Sequence, residues 1–161
     1  MNRSEITDFL REHGIAFRQQ EHPAAHTIDD IENYGLDGTE TIGKNLFLQD
    51  DKKRNYYLVT VRKDKTVNLK ELRTVLGSRP LSFASENDLR NILCLESGAV
   101  TPLGLLNDDL RRVSFVLDRD ITDFATVGVH PNENTATVWL APSDLLALIR
   151  EHGNEILIVQ L

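Results

Sequence analysis

Three places in the sequence carry residues able to hold or polarise a small polar substrate. The first is Lys44, in "TIGKNLFLQ" at residues 41–49. If this run is a strand, Ile42, Lys44, Leu46 and Leu48 share one face, because strand side chains alternate. Two readings of that lysine are open. Its stem can pack on the aliphatic neighbours while the ammonium reaches water. Alternatively it is a cation at the mouth of an apolar pocket, a compact point charge for a phosphate or ribose group. In a regular strand Asn45 points the other way, so a site using both residues requires a bulge, for which Gly43 is suited.

The second place is "ESGAVTPLGLLND", residues 96–108, where Gly98 and Pro102 bracket Ala99, Val100 and Thr101. A glycine-bearing loop lets main-chain N–H groups approach a ligand closely, and such groups stabilise an oxyanion without any side chain. The plainer reading is a turn between two elements. The third is "GVHPNENTATVWL", residues 128–140. Val129 and His130 precede Pro131, which biases His130 toward extended backbone at the lip of a strand.

Other chemistries find little support. His22 and His26 are four apart in "EHPAAH", but Pro23 breaks the helical geometry that such a pair needs to share a metal. Cys94, in "NILCLES", reads as a small buried hydrophobe, and no G-x-S-x-G elbow is present. The tetrapeptide "REHG" occurs at 11–14 and again at 150–153. Each copy closes a helical pattern, so His13 and His152 read as capping residues.

The elements that must position these residues alternate in type. Ser4 reads as the cap of a first helix through Ile6, Phe9 and Leu10, with Gly14 as its stop. "IAFRQQE" follows as an extended piece, and Thr27 caps a brief helix over "IDDIENYG". Two strands, 42–49 and 56–62, flank the charged turn "DDKKRN". Asn68 with Glu71 forms a capping box for "LKELRTVLG", and Ser85 opens "ENDLRNIL". "RVSFVLD" and "TATVWLA" read as strands, Pro142–Arg150 as a helix, and "EILIVQL" as a last strand. The pattern predicts an α/β chain, mixed in the α+β manner. A curved mixed sheet or partial barrel would lie among helices, in one domain over residues 1–161.

With one cysteine no internal disulfide is possible, and no stretch approaches the apolar length of a membrane span; a soluble cytoplasmic protein is expected. The net charge of −7 argues against non-specific nucleic-acid binding, DNA included, yet it hides an asymmetry. Residues 44–79 hold ten Lys/Arg against four Asp/Glu, a segment of +6 that leaves −13 elsewhere. Such clustering is the footprint of a polyanion site, or simply a solvated hairpin with a charged tip.

Taken together and in this order, "EHPAAHTIDD", "GKNLFL", "LVTVRKDKTVNLKELRTVLG", "GAVTPLGLLND" and "VHPNENTATV" resemble the YbaK / prolyl-tRNA synthetase editing-domain family. The likeness is to its free-standing PrdX or ProXp-ala branch, and it runs from about Phe9 to Val159. It implies a trans-editing deacylase that hydrolyses the ester joining alanine to tRNA(Pro), with no metal or cofactor. Lys44 would contact the tRNA 3′ end. The Gly98–Pro102 loop would hold the scissile carbonyl, and His130 would line the amino-acid pocket. A water, aided by the terminal adenosine's own hydroxyl, would make the attack. Thr27, Asn45 and Asp118 fall where the family places polar site residues, and Val129 adjoins the pocket. Arg62, Lys63, Lys65, Lys70, Arg73 and Arg79 become candidates for the acceptor stem, with prolyl-tRNA synthetase or an elongation factor as further partners. Cysteinyl-tRNA(Pro) or another small aminoacyl-tRNA is the alternative substrate, and a non-catalytic tRNA- or synthetase-binding module the alternative function.

Overall fold

The computed structural model describes residues 1–161. Five α-helical segments and eight strands, with short 3-10 and π-helical turns between them, run in the order α1 (Arg3–Glu12), β1 (Phe17–Glu21), α2 (Ile28–Asn33), β2 (Gly43–Asp50), β3 (Tyr56–Arg62), α3 (Leu69–Leu76) and β4 (Leu81–Phe83). Then come α4 (Glu86–Asp88), β5 (Val113–Asp118), β6 (Val127–Val129), β7 (Ala136–Leu140), α5 (Pro142–His152) and β8 (Ile156–Val159). The mixed architecture is the one read from the sequence. Its strands divide between a five-stranded sheet, β4-β2-β3-β5-β8, and a three-stranded sheet, β1-β7-β6. Neither closes into a barrel.

β3 and β5 occupy the middle of the larger sheet and pair in parallel, as do β5 and β8, whereas β2 runs antiparallel to β3 and β4. Central parallel strands are covered on both faces, so Leu58, Val59, Thr60 and Val61 in β3 and Phe115, Val116 and Leu117 in β5 are all buried. Alternation sorts them. Leu58, Phe115 and Leu117 join the main core with α1, α5 and the inner face of β7. Leu48, Val59 and Val116 turn to the other face, where Leu72 of α3 covers them. At roughly 25 cal/mol per Å² of apolar area, each of these side chains contributes about 1.5–3 kcal/mol.

The β2–β3 turn is held by one residue. The buried Asp50 carboxylate accepts the N–H groups of Lys52 (3.1 Å) and Arg54 (2.9 Å) and the side-chain amide of Asn55 (2.8 Å). Such an aspartate-built turn fixes hairpin register. Three local expectations shift. The first helix is capped by Asn2, not Ser4: its side chain accepts the Glu5 N–H while Glu5 answers the Asn2 N–H. Ser85 does open a helix, but after one turn it widens into a π-helical turn over Leu89–Leu93 that ends at Cys94, itself exposed and left-handed (φ 56°). β4 and β6, each three residues long, carry no readable period.

The two sheets meet at Ile42 and Gly128, which form an isolated parallel bridge. Gly128 is required there, since a Cβ would lie 2.8 Å from Trp139 Nε1 and 2.9 Å from Ile42 Cγ1. Trp139 donates its indole N–H to the Gly38 carbonyl (2.9 Å) and packs with Ala25, Ile31 and Ile42. That small apolar cluster, outside the main core, underlies the junction between the sheets.

Candidate active site

A cavity of about 440 Å³ opens at this junction, and its lining includes Thr27, Asp29, Lys44, Asn45, Lys63, Gly98, Val100, Val129, His130 and Thr137. Six separate segments therefore meet in one place. The strand carrying Lys44 explains how. β4 pairs only with Leu48–Asp50, so the first half of β2 has β3 on one side and no strand on the other. The cavity sits at that open edge, and side chains from both faces of β2 flank it. Lys44 and Asn45 thus share the cavity although they point to opposite faces. The bulge expected at Gly43 is absent, the register running without a break from Gly43↔Arg62 to Gln49↔Tyr56.

Each of the two side chains is anchored. Lys44 Nζ donates to the main-chain oxygen of Lys65. Asn45 Oδ1 accepts the Thr60 hydroxyl across the strand pair (2.6 Å). The loop bearing the Lys65 carbonyl is itself pinned, because Lys65 Nζ reaches Asp118 (2.9 Å), Asp120 (2.7 Å) and the main-chain oxygen of Leu161 (2.7 Å).

Gly98 adopts φ +90°, a conformation that L side chains rarely take, and a Cβ there would stand 2.9 Å from His26 Nδ1. Ala99 N–H closes the turn onto Glu96 (3.1 Å), while the N–H groups of Gly98 and Val100 are bonded to no group of the chain. Two main-chain donors at a cavity wall with no internal partner are what an oxyanion site needs. Ala99, Thr101 and Pro102 are buried behind the wall and do not line it. Thr101 instead donates its hydroxyl to the His130 carbonyl (2.6 Å) and accepts the Leu103 N–H (3.3 Å), which caps the 3-10 turn opened by Pro102.

His130 follows β6. Its Nδ1 lies 2.9 Å from the Ala136 carbonyl, which only accepts, so Nδ1 carries the hydrogen and the neutral ring presents a bare Nε2. Burial pushes its affinity for a second proton below the ordinary histidine value; the Ala136 contact opposes that shift and the neighbouring His22 adds to it. Thr27 stands on the cavity rim as the cap of α2. Its Oγ1 accepts the Asp30 N–H (3.2 Å), and Asp30 Oδ2 accepts the N–H groups of His26 (3.0 Å) and Thr27 (3.2 Å). The His26 bond is the largest cause of the lowered Asp30 pKa.

Asp118, taken from the sequence as a polar site residue, lies outside the cavity. It is fully buried, accepts the Arg62 N–H (3.1 Å) and caps the 3-10 turn that follows β5. The basic segment is also less open than its linear count suggests. Lys65 is committed to Asp118 and Asp120, and Arg62 pairs with Asp64 and Asp120. Arg79 grips Asp51, while Lys63 at the rim pairs with Glu32 of α2. Acids from outside residues 44–79 supply much of this neutralisation. Of the six cations singled out, Lys70 and Arg73, exposed on α3, make no ion pair. Sequence reasoning also missed His26, Gly128 and Thr137 as parts of the cavity wall.

An α/β scaffold with an anchored lysine, a glycine turn offering free N–H groups and a neutral histidine defines a site suited to polarising a carbonyl without a protein nucleophile. The profile of the aminoacyl-tRNA editing domain matches residues 22–148, and the chain belongs to that family. It is 41% identical to the prolyl-tRNA editing protein ProX of Acetoanaerobium sticklandii, over 94% of this chain and 93% of that one. It is 37% identical to prolyl-tRNA synthetase associated domain-containing protein 1 of Mus musculus, over 98% and 95% of the two chains. A crystal structure provisionally described as a trans-editing enzyme for prolyl tRNA synthetase shares the fold. Its TM-score is 0.73 at 22% identity, covering 99% of this chain and 96% of the other.

Proposed function

We propose that this chain, acting as one unit over residues 1–161, is a trans-editing deacylase that removes alanine from mischarged tRNA(Pro). The observation that carries the reading is the meeting of Lys44, the unbonded N–H groups of Gly98 and Val100, and His130 around one cavity. Membership of the editing family and the likeness to ProX support the substrate class.

Chemically, water adds to the ester carbonyl carbon, the acyl–oxygen bond to the terminal ribose breaks, and the ribose oxygen takes the proton. Free amino acid and uncharged tRNA leave. An aminoacyl ester is already activated, so positioning together with donors aimed at the carbonyl oxygen accounts for catalysis. In this reading Gly98 and Val100 hold that oxygen as it becomes negative, and Lys44 holds the 3′ end. His130 bounds the amino-acid side of the cavity, which Ile31 and Ile42 make apolar. Lys70 and Arg73 are the free cations for the acceptor stem.

The need for such an enzyme follows from physics. A synthetase rejects an amino acid smaller than its own poorly, because the lost apolar contacts are worth only about 1–3 kcal/mol. A second site that admits the small residue and excludes the large one restores accuracy. The test is deacylation of alanyl-, cysteinyl- and prolyl-tRNA(Pro) by the purified protein. Rapid loss of alanine with proline spared is expected; loss of cysteine alone moves the specificity, and hydrolysis of none overturns the enzymatic reading.

A further inference from the structure

The polar wall of the cavity ends in two atoms whose hydrogen-bonding sense is fixed from behind. His22, in the "EHPAAH" segment, is buried and has no part in the chemistry above. Its Nδ1 lies 2.8 Å from the Pro23 carbonyl, which only accepts, so Nδ1 carries the hydrogen, and in that tautomer Nε2 is a bare acceptor. That Nε2 lies 2.9 Å from Thr137 Oγ1, so the threonine hydroxyl donates to it. Thr137 is on the cavity lining, on the same face of β7 as Trp139. With its single hydrogen given to His22, it has only lone pairs left to offer. His130 repeats the arrangement: Nδ1–H goes to the Ala136 carbonyl and Nε2 stays bare. The two rings stand 6.1 Å apart.

A wall that presents acceptors calls for a ligand rich in donors. Both lining lysines have internal partners, the Lys65 carbonyl for Lys44 and Glu32 for Lys63. Resting on the deacylase reading, we propose that Thr137 Oγ1 and His130 Nε2 receive the α-ammonium of the aminoacyl ester. His22 is then a positioning residue that sets the sense of the Thr137 hydroxyl. An ammonium carries three N–H donors and no acceptor, and it matches both atoms. The neutral state favoured by burial keeps His130 from repelling it. The site would thereby select α-amino acid esters over hydroxy-acid or N-acylated ones, independently of side-chain size.

The test compares alanyl-tRNA(Pro) with lactyl-tRNA(Pro), prepared from it by nitrous acid deamination, in which a hydroxyl replaces the ammonium. Each rate is divided by the spontaneous hydrolysis rate of its own ester. The wild-type protein is expected to accelerate the alanyl ester about ten- to a hundredfold more than the lactyl ester, the range for hydrogen bonds to a charged group. Thr137→Val, nearly the same shape, should collapse that preference, the loss falling far more heavily on the alanyl than on the lactyl ester, and Thr137→Ser should restore most of it. His22→Phe, which frees the hydroxyl to turn, should lower the preference in the same sense. Equal acceleration of both esters by the wild type, or an equal loss on both in Thr137→Val, overturns the ammonium site and leaves the deacylase intact. No acceleration of the alanyl ester by the wild type overturns both.

Discussion

The hydroxyl of Thr101 donates a 2.6 Å hydrogen bond to the main-chain carbonyl of His130, which makes the Gly98 turn and the His130 segment one mechanical unit. The N–H groups of the Gly98 turn, proposed as oxyanion donors, and the His130 side of the cavity cannot then move apart independently. Thr101→Val removes the donor and leaves a carbonyl without its partner in a buried place, which costs about 1–3 kcal/mol. We expect a lower urea midpoint at unchanged m-value, with turnover reduced at temperatures where the variant is fully folded. A variant as stable and as active as the parent would show the bond to be incidental.

Gly98 combines two restrictions, its φ of +90° and a Cβ position 2.9 Å from His26 Nδ1. Gly98→Ala is expected to lose at least about tenfold in kcat, because small displacements of positioned donors are costly. The far-ultraviolet circular dichroism spectrum should be unchanged, since the turn is local. Retained kcat would place the oxyanion donors elsewhere.

Lys44 is anchored to the Lys65 carbonyl and lines the cavity at once. Lys44→Ala should raise KM for aminoacyl-tRNA by about tenfold, in line with the loss of a charge-assisted contact. Lys44→Arg should rescue only part, because a planar guanidinium cannot replace a compact ammonium at a single carbonyl. Steady-state kinetics of both variants check this, and wild-type KM in Lys44→Ala would remove the lysine from substrate binding.

Lys65, once a candidate for the acceptor stem, predicts a different phenotype. Its ammonium meets Asp118, which is fully buried. Lys65→Met leaves that carboxylate without its cation, a loss of about 3 kcal/mol, at the lower end for broken buried pairs because the lysine end is partly solvated. Denaturant unfolding should show the loss, whereas Lys70→Ala and Arg73→Ala should weaken tRNA binding, read by filter retention, with unchanged stability.

The His130 shift gives stability a pH dependence of known sign. Burial disfavours the imidazolium in the folded chain, so below the ordinary histidine value of 6.5 the unfolded chain binds more protons. The contribution is fully present above about pH 6.5 and is lost as pH falls from there toward the lower folded pKa. Unfolding free energies between pH 7.5 and pH 5, values of about the histidine range, should therefore fall less steeply in His130→Gln than in the parent. Parallel curves would contradict a half-buried ring held neutral in the folded chain.

Lys44, Gly98 and His130, which line one cavity, each break a local pattern in the sequence: a cation in an aliphatic row, a glycine before a proline-opened turn, a histidine ahead of a proline. Each also had a plainer reading, and only their combination, resembling the editing family, singled them out. The helix caps at Thr27, Asn68 and Ser85 were legible one by one, since capping is written within four residues. Thr137 was not. A threonine inside "TATVWL" is ordinary strand composition, and its meaning comes from His22, more than a hundred residues away. Asp118 misled in the opposite direction, because a buried aspartate at a strand end looks the same whether it caps a turn or faces a ligand. The division into two sheets was hidden as well, for it depends on β4 and β6, strands too short to show alternation.

The junction at Ile42 and Gly128 bears on how the chain reaches its final form. Phe17 pairs with Leu140 and Ile42 bridges Gly128, so the smaller sheet and the joint between the sheets are assembled from segments far apart in the sequence. Pairings of such long separation are slow to form, because chain entropy must be surrendered before they stabilise anything. No partly folded species that lacks β7 can hold the wall of the cavity. Recovery of turnover during refolding is therefore expected to follow the last kinetic phase, well after helical signal returns, and to have no counterpart in any proteolytic fragment ending before residue 136.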